Sequence, residues 1–301
     1  MQARAQPLDD PEAYIVEELV VQAREVGPAW WRVSDADTTI YILALPETDI
    51  PPGLAWNTSV LDRRLNGASA LIGGSIAIHV DLRDARTLYG MYQRMKSKTP
   101  MEETLPAPLA ARFAAAREKL GQPAKRYAGW APIAAGAILI GDSRERTGPP
   151  WTDAEATVRR KAQKLKIPRR NSASYDAMPL IRAAYGSLTL ETQHRCLAEA
   201  LNDIDAGDGP VVRSARGWAR GDVAEALVAP RGIDKCLLLL GGGAEMWRRT
   251  VKDHAADIEA ALKTPGHAVA MVRLRELLAE EGVIATLEAR GVRVLGPGEA
   301  G

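Results

Sequence analysis

The chain has 301 residues, of which 46% are hydrophobic and 26% charged, with a formal net charge of +1. That is the balance of an ordinary globular protein with ample material for a core, and the near-neutral charge excludes a global electrostatic pull toward nucleic acid or an anionic membrane. No run approaches the ~20 apolar residues that span a bilayer, and two cysteines, Cys196 and Cys236, are too few for a disulfide framework.

The first residues, MQARAQPLDDPEAY, lack the basic start and apolar core of a signal peptide. Ala3-Arg4-Ala5 before Gln6 nevertheless has the small-x-small form of a cleavage site, so residues 1–25 read as an N-terminal arm that carries a signal-peptide remnant, or as a plain cytosolic arm. Within it AYIVEELVVQAR (13–24) suits an edge strand or an ordered arm. The most legible stretch follows, WWRVSDADTTIYILALPETDIPPGLAW (30–56). WWRV and TTIYILAL are β-rich runs separated by SDAD, whose short polar side chains satisfy turn backbone, and the pair reads as a hairpin. PETDIPPG then leaves the sheet as a loop. Asn57 and Thr58 cap the helix predicted over TSVLDRRLNGA. The layout puts a loop at the C-terminal end of a strand, where α/β proteins often carry chemistry.

GASALIGGSIAIHV (67–80) holds two short apolar runs broken by Gly73-Gly74 and predicts paired strands or one bulged strand. From about Asp84 to Val228 the pattern is mostly helical. LPAPLAARFAAAREKLG has proline at its start and glycine at its end. YAGWAPIAAGAILIG reads as a buried helix, and WTDAEATVRRKAQKLKIP as one capped by Thr152 or Asp153 and stopped before Pro168. The basic KLKIPRR segment lacks the aromatics of a nucleic-acid element and reads as a solvated helix end. SLTLETQHRCLAEALNDIDAG and WARGDVAEAL continue the helices. The two thiols read by default as small buried hydrophobes, with pairing open to an exported chain.

LLLLGGGAEMWRR has the glycine turn of a phosphate loop without the Walker Lys-Ser/Thr or a spaced G-x-G-x-x-G, and reads as a break between two helices. The second of these is the amphipathic EMWRRTVKDHAADIEAALK. HAVAMVRL, RELLAEEGVIATLEAR and GVRVLGP then predict strand, helix, strand, the size of a βαβ unit. The last strand is expected to return to the sheet of the hairpin, which would join the two chain ends in one sheet.

The run W-R-V-S-D-A-D-T-T-I-Y-I-L with P-P-G-L-A-W, the middle segments LPAPLAARF, QPAKRYAGWAP, HRCL and GWARGDVAEAL, and the closing E-G-V…L-E-A-R-G-V together resemble the TraB/GumN family, related to the Tiki metalloproteases. The resemblance covers about Val26 to Pro297. It implies an α/β fold with a mixed central sheet formed by N- and C-terminal strands and a mainly helical middle, and a domain from 26 to 301 with a helical insert at about 84–228. It also implies export, hence a periplasmic address, with the cytoplasm as the alternative.

The resemblance implies chemistry that these residues do not carry. The family places one Gly-x-x-His motif at the end of the hairpin's second strand, where this chain has Ala44-Leu45-Pro46-Glu47. The second belongs at the end of the penultimate strand, where it has Arg273-Leu274-Arg275-Glu276. The acidic residue expected near Ile72 to Gly74 is absent, and none of His79, His194, His254 and His267 follows a glycine by three. Neutral imidazoles bind Zn, Mn or Co, and a catalytic site needs about three ligands and an open position.

Glu47 and Glu276 can stand at the two histidine positions (Thr48 replaces Glu47 if the alignment takes no gap), and carboxylates favour harder divalent ions. His79 and Asp81 share a strand face but find no third ligand, so a surface pair is the plainer reading. Arg249 matches a family arginine that precedes Asn, here followed by Thr250, which leaves it a structural or anion-binding role. No Gly-x-Ser-x-Gly or Cys-His signature is present. The expectation is a TraB/GumN-like protein without metalloprotease activity or cofactor, retained as a binding or structural protein for a protein, peptide or small-molecule ligand. The alternative is a divergent metal-dependent hydrolase whose carboxylates hold Mn, Mg or Co.

Overall fold

The computed structural model describes residues 8–23, 27–73, 77–79, 82–145, 151–170 and 174–298. Its centre is a mixed six-stranded sheet in the order β5-β3-β7-β2-β1-β8. The strands are β1 (Trp30–Ser34), β2 (Thr38–Leu45), β3 (Leu71–Gly73), β5 (Arg169–Arg170), β7 (Gly266–Arg273) and β8 (Val294–Leu295). A separate parallel pair joins β4 (Ala77–His79) to β6 (Ser174–Asp176).

The hairpin forms as its residues predict. Asp35 Oδ1 accepts from the amides of Asp37 and Thr38, at 3.2 and 2.9 Å, so the side chain supplies the turn that the backbone needs. β1 pairs antiparallel with β2, and β2 runs parallel to β7 over eight residues, from Thr38 opposite Gly266 to Leu45 opposite Arg273. These central strands are covered on both sides, which is why they read as continuous apolar runs. On one face Ile40, Ile42, Ala268, Ala270 and Val272 meet the long helix Gly243–Leu262 through Val251, Ala255 and Ile258. On the other Leu43, Leu45, Val269 and Met271 meet the helix Ser59–Leu65 and Val158. A third core lies in the helical middle, built on Phe113, Tyr127, Leu139, Leu197 and Leu201.

The terminal βαβ arrangement is present with the hairpin inside it: β7 and β8 are separated in the sheet by β2 and β1. Both chain ends therefore build one sheet. The expected single helix between them is two, Leu274–Leu278 and Val283–Ala289. Gly282 lies at the break, where an added Cβ would stand 2.5 Å from the Glu276 carbonyl and 2.7 Å from that of Ala279.

Several other expectations are corrected. β3 and β4 do not pair with each other; β3 joins β7 in the main sheet and β4 joins β6. The KLKIPRR segment is more than a helix end, since Arg169–Arg170 forms the exposed edge strand β5 beside β3. Two arginines on an edge discourage further strand pairing. Of the two alternatives for residues 13–23, the ordered arm is the one present, tied by bridges at Ile15–Ala279 and Gln22–Asp222. The buried helix expected from Tyr127 begins at Pro132. The reading of residues 1–7 as a leader remnant, and the pairing of His79 with Asp81, lie outside the described residues and side chains.

Of the two readings left open for Cys196 and Cys236, separate buried thiols or a pair, the structure has the pair, as a disulfide. It ties the helix Leu190–Ala206 to the short helix Gly232–Leu239. Packing had already drawn the two together: the Gly232 amide donates to Asp203 Oδ1 at 3.0 Å, and an added Cβ on Gly232 would lie 2.5 Å from the Glu199 carbonyl. The bridge closes a loop with a sequence separation of 40, for which chain entropy gives about 3–4 kcal/mol of stabilisation. Replacing both residues by serine should lower the unfolding free energy in denaturant by about that amount, and reductant should then no longer affect the variant. Both sulfurs are held in the bridge, so alkylation of the unfolded protein without reductant should label neither, and after reduction should label both.

Candidate functional site at the strand ends

Three parallel strands, β3, β7 and β2, end on the same edge of the sheet, with Gly73 opposite Met271 and Leu45 opposite Arg273. This is the edge where open α/β sheets place their ligands. Glu47 lies just beyond β2, and Glu276 lies in the Leu274–Leu278 helix that follows β7. The structure brings Glu47 to the start of the helix that bears Glu276. Glu47 Oε1 accepts from the Arg275 amide at 2.8 Å, satisfying one of the donors that a helix start leaves open. Its other oxygen, Oε2, is buried without a partner, as is the neighbouring Thr48 Oγ1. Burial pushes the Glu47 carboxyl up to about 7, a rise that Glu12 reinforces while Arg273 and the Arg275 amide oppose it.

Glu276 is 3% exposed and is engaged by His254 of the long helix, whose Nδ1 lies 2.5 Å from Glu276 Oε1. Burial disfavours the imidazolium, but the Glu276 carboxylate more than offsets this and raises the His254 pKa. Within the stretch Ile72 to Gly74, where the acidic residue is expected, Gly73 is closed by backbone geometry. Gly73 has φ +76°, and an added Cβ would stand 2.6 Å from the Met271 carbonyl and 3.7 Å from the His254 ring. A side chain at that point is excluded by both conformation and space. Among the described residues no group of three His, Cys, Asp or Glu side chains could hold a metal ion.

Arg273 ends β7 opposite Leu45 and is held by a residue from the far end of the chain. Glu12 of the N-terminal arm, 2% exposed, accepts from Trp247 Nε1 at 2.8 Å, Arg231 Nη2 at 3.1 Å and Arg273 Nη2 at 3.3 Å. Arg231 in turn makes two 2.8 Å bonds to Asp10. Burial opposes charge on Arg273, and the carboxylates around it, chiefly Glu12, Glu47 and Glu276, more than restore it.

Beside this polar cluster lies a cavity of about 620 Å³, reaching from Glu12, Arg273 and Glu276 to apolar side chains of the helices Ala177–Ser187 and Gly232–Leu239. Leu180, Ile181, Leu237, Leu238 and Trp247 dominate its walls. A smaller cavity of about 250 Å³ adjoins it, sharing Leu45, Glu155 and Arg273, and holds Glu47 and Thr48. The glycine turn at 241–243 joins the helices Gly232–Leu239 and Gly243–Leu262, as expected of a helix break. It is tightly packed, with the Cβ site of Gly241 only 2.7 Å from the Ala183 carbonyl. Arg249 is exposed on the long helix and lines neither cavity.

The family model TraB/PrgY/gumN family matches residues 29–295. The chain belongs to the TraB/PrgY/gumN family. No curated protein and no solved structure matches it. The segments that carry the resemblance meet in space. Trp56 of PPGLAW packs edge-on against Trp218 of GWARGDVAEAL, with ring centroids 5.0 Å apart. Trp218 Nε1 donates to the Ala44 carbonyl at 2.7 Å, next to the end of β2.

Glu12, His254, Arg273 and Trp247 were missed as site residues by the sequence reading. For His254 a signal exists: Trp247, Val251 and Ile258 make an apolar helix stripe, and His254 interrupts it. For Glu12 there is none, since its partners lie 219 to 261 residues away.

The raised Glu47 pKa has a defined consequence for stability. The folded protein binds a proton on Glu47 more tightly than the unfolded chain does, so this contribution is complete below the ordinary value of 4.5 and lost as pH rises through about 7. Its size is on the order of 3 kcal/mol. The raised His254 pKa acts with the same sign, beginning above its ordinary 6.5. Glu47→Gln should therefore flatten the fall in unfolding free energy between pH 4.5 and 7, while leaving the decline at higher pH. Denaturant titrations across that range measure both.

Proposed function

We propose that this family member is a binding protein without metalloprotease activity, and that its ligand is an apolar small molecule held in the 620 Å³ cavity. The observation that carries this reading is the engagement of the motif positions. Glu276 is bonded to His254 and Glu47 to the start of the following helix. Metal ligation requires a deprotonated carboxylate and a neutral imidazole. Here Glu276 Oε1 is taken by His254 Nδ1 and Glu47 Oε1 by the Arg275 amide, and no third ligand group stands with them among the described residues, so this donor set does not fit a transition metal. A largely apolar cavity with a few convergent polar groups beside it is the usual form of a small-molecule site.

A periplasmic address follows from the same reading. A disulfide between Cys196 and Cys236 suits an oxidising compartment, and among the described residues no helix is long and apolar enough to cross a membrane. The second reading, a hydrolase with carboxylate ligands, is favoured by one observation, that Glu47 and the helix bearing Glu276 do meet at the strand ends.

Two measurements separate these readings. A neutral environment-sensitive dye should bind at one site and be lost from Leu238→Asp, which puts a charge on the cavity wall. Protein purified without chelator should hold no stoichiometric metal and cleave no peptide with Mn, Co or Zn added. Metal-stimulated cleavage abolished in both Glu47→Ala and Glu276→Ala would establish the hydrolase reading instead.

A further inference from the structure

Charge on this near-neutral chain is unevenly placed. From Ala85 to Met101 the sequence holds Arg86, Arg94, Lys96 and Lys98 and no Asp or Glu. The acids at either end of the stretch are taken by arginines elsewhere. Asp84 lies 3.3 Å from Arg182, and Glu102 accepts from Arg117 at 2.6 Å. The net charge of +1 for the whole chain therefore conceals a local surplus of four cations.

These cations stand among exposed rings. The helix Ala85–Arg94 lies on the surface with no buried residue. Tyr89 and Tyr92 are 65% and 49% exposed, with Arg86 one turn before Tyr89 and Lys96 one turn after Tyr92. Lys96 Nζ lies 3.3 Å from the centre of the Trp130 ring and 5.1 Å from that of Tyr92. Tyrosine and tryptophan settle at the headgroup level of a bilayer, and basic segments are drawn to the negative potential of an anionic leaflet. The same helix also carries Met91, which lines the cavity of about 620 Å³ with Leu180 and Ile181. That cavity reaches the surface, since Leu237 lines it while 55% exposed. One helix thus presents cations and rings to solvent and an apolar side chain to the cavity.

We infer that the outer side of the helix Ala85–Arg94, with Lys96, Lys98 and Trp130, docks on an anionic bilayer surface, and that the cavity exchanges its apolar ligand with that bilayer. This rests on the apolar-ligand reading above and adds the ligand's source. A bilayer is favoured over a soluble acidic partner because exposed rings lie among the cations and the cavity behind them is apolar. The helix is too short to span and would lie in the interface.

The test is sedimentation of the full chain with vesicles of equal parts phosphatidylcholine and phosphatidylglycerol, against vesicles of phosphatidylcholine alone. The chain should bind the anionic vesicles and not the neutral ones. Salt at about 1 M should release it, because the screening length falls to about 3 Å there. Each cation near an anionic surface tightens binding about 5-fold, so Arg86→Glu with Lys98→Glu should weaken it by at least about 25-fold. Lys252→Glu with Lys263→Glu makes the same change of net charge at exposed positions elsewhere and should weaken it far less. Both double variants should keep the native circular dichroism and bind the neutral dye as the wild type does. No binding to anionic vesicles, equal losses in the two double variants, or equally tight binding to soluble polyglutamate would overturn the docking inference. Dye binding that persists in that case leaves the cavity reading standing. Vesicle binding without dye binding would overturn the cavity reading and the ligand exchange, and leave the docking surface.

Discussion

The parallel pairing of β2 with β7 is the constraint on which the rest of this structure depends. It brings strands more than 200 residues apart into register, with Leu45 opposite Arg273, and so delivers the loop after one and the helix after the other to a single edge of the sheet. Parallel strands need a crossover between them. Here almost the whole chain between β2 and β7 serves as that crossover, which is why a largely helical middle sits between two sheet-forming ends. Trp218 fastens part of this middle back to β2 through the Ala44 carbonyl, and the disulfide fastens two of its helices together.

What stands at that edge is a set of charged groups satisfied by one another. Glu276 meets His254, Glu47 meets the Arg275 amide, and Arg273 meets Glu12. Buried charges persist only when paired and hydrogen-bonded, so the loss of any member leaves an uncompensated partner. The exceptions are informative. Glu47 Oε2 and Thr48 Oγ1 are buried and unpaired, on residues that line the smaller cavity.

The N-terminal arm gives this arrangement its long reach. Glu12 accepts from Trp247, Arg231 and Arg273 at once, and the arm's backbone bridges to the helical turn at Ala279. The floor of the larger cavity is therefore built from the first described residues, the long helix and the last long strand together. A residue in an arm that reads as a simple lead-in closes the polar side of the cavity.

The sequence by itself determined the hairpin, the apolar strands buried on both faces, the long amphipathic helix and the joining of the two chain ends, because alternation, helical period and turn chemistry are local properties of neighbouring residues. It also placed Glu47 and Glu276 at corresponding strand ends through the resemblance, and the fold does bring those ends together. Only the tertiary structure decided that β3 and β4 part company, since two short runs joined by glycines carry no record of which neighbour each will find. The same holds for the disulfide and for the Glu12–Arg273 and His254–Glu276 pairs, whose partners are set by how distant segments pack. The cavity is the extreme case. Its walls come from helices that each look ordinary alone, and the space between them exists only once the sheet has fixed where those helices lie.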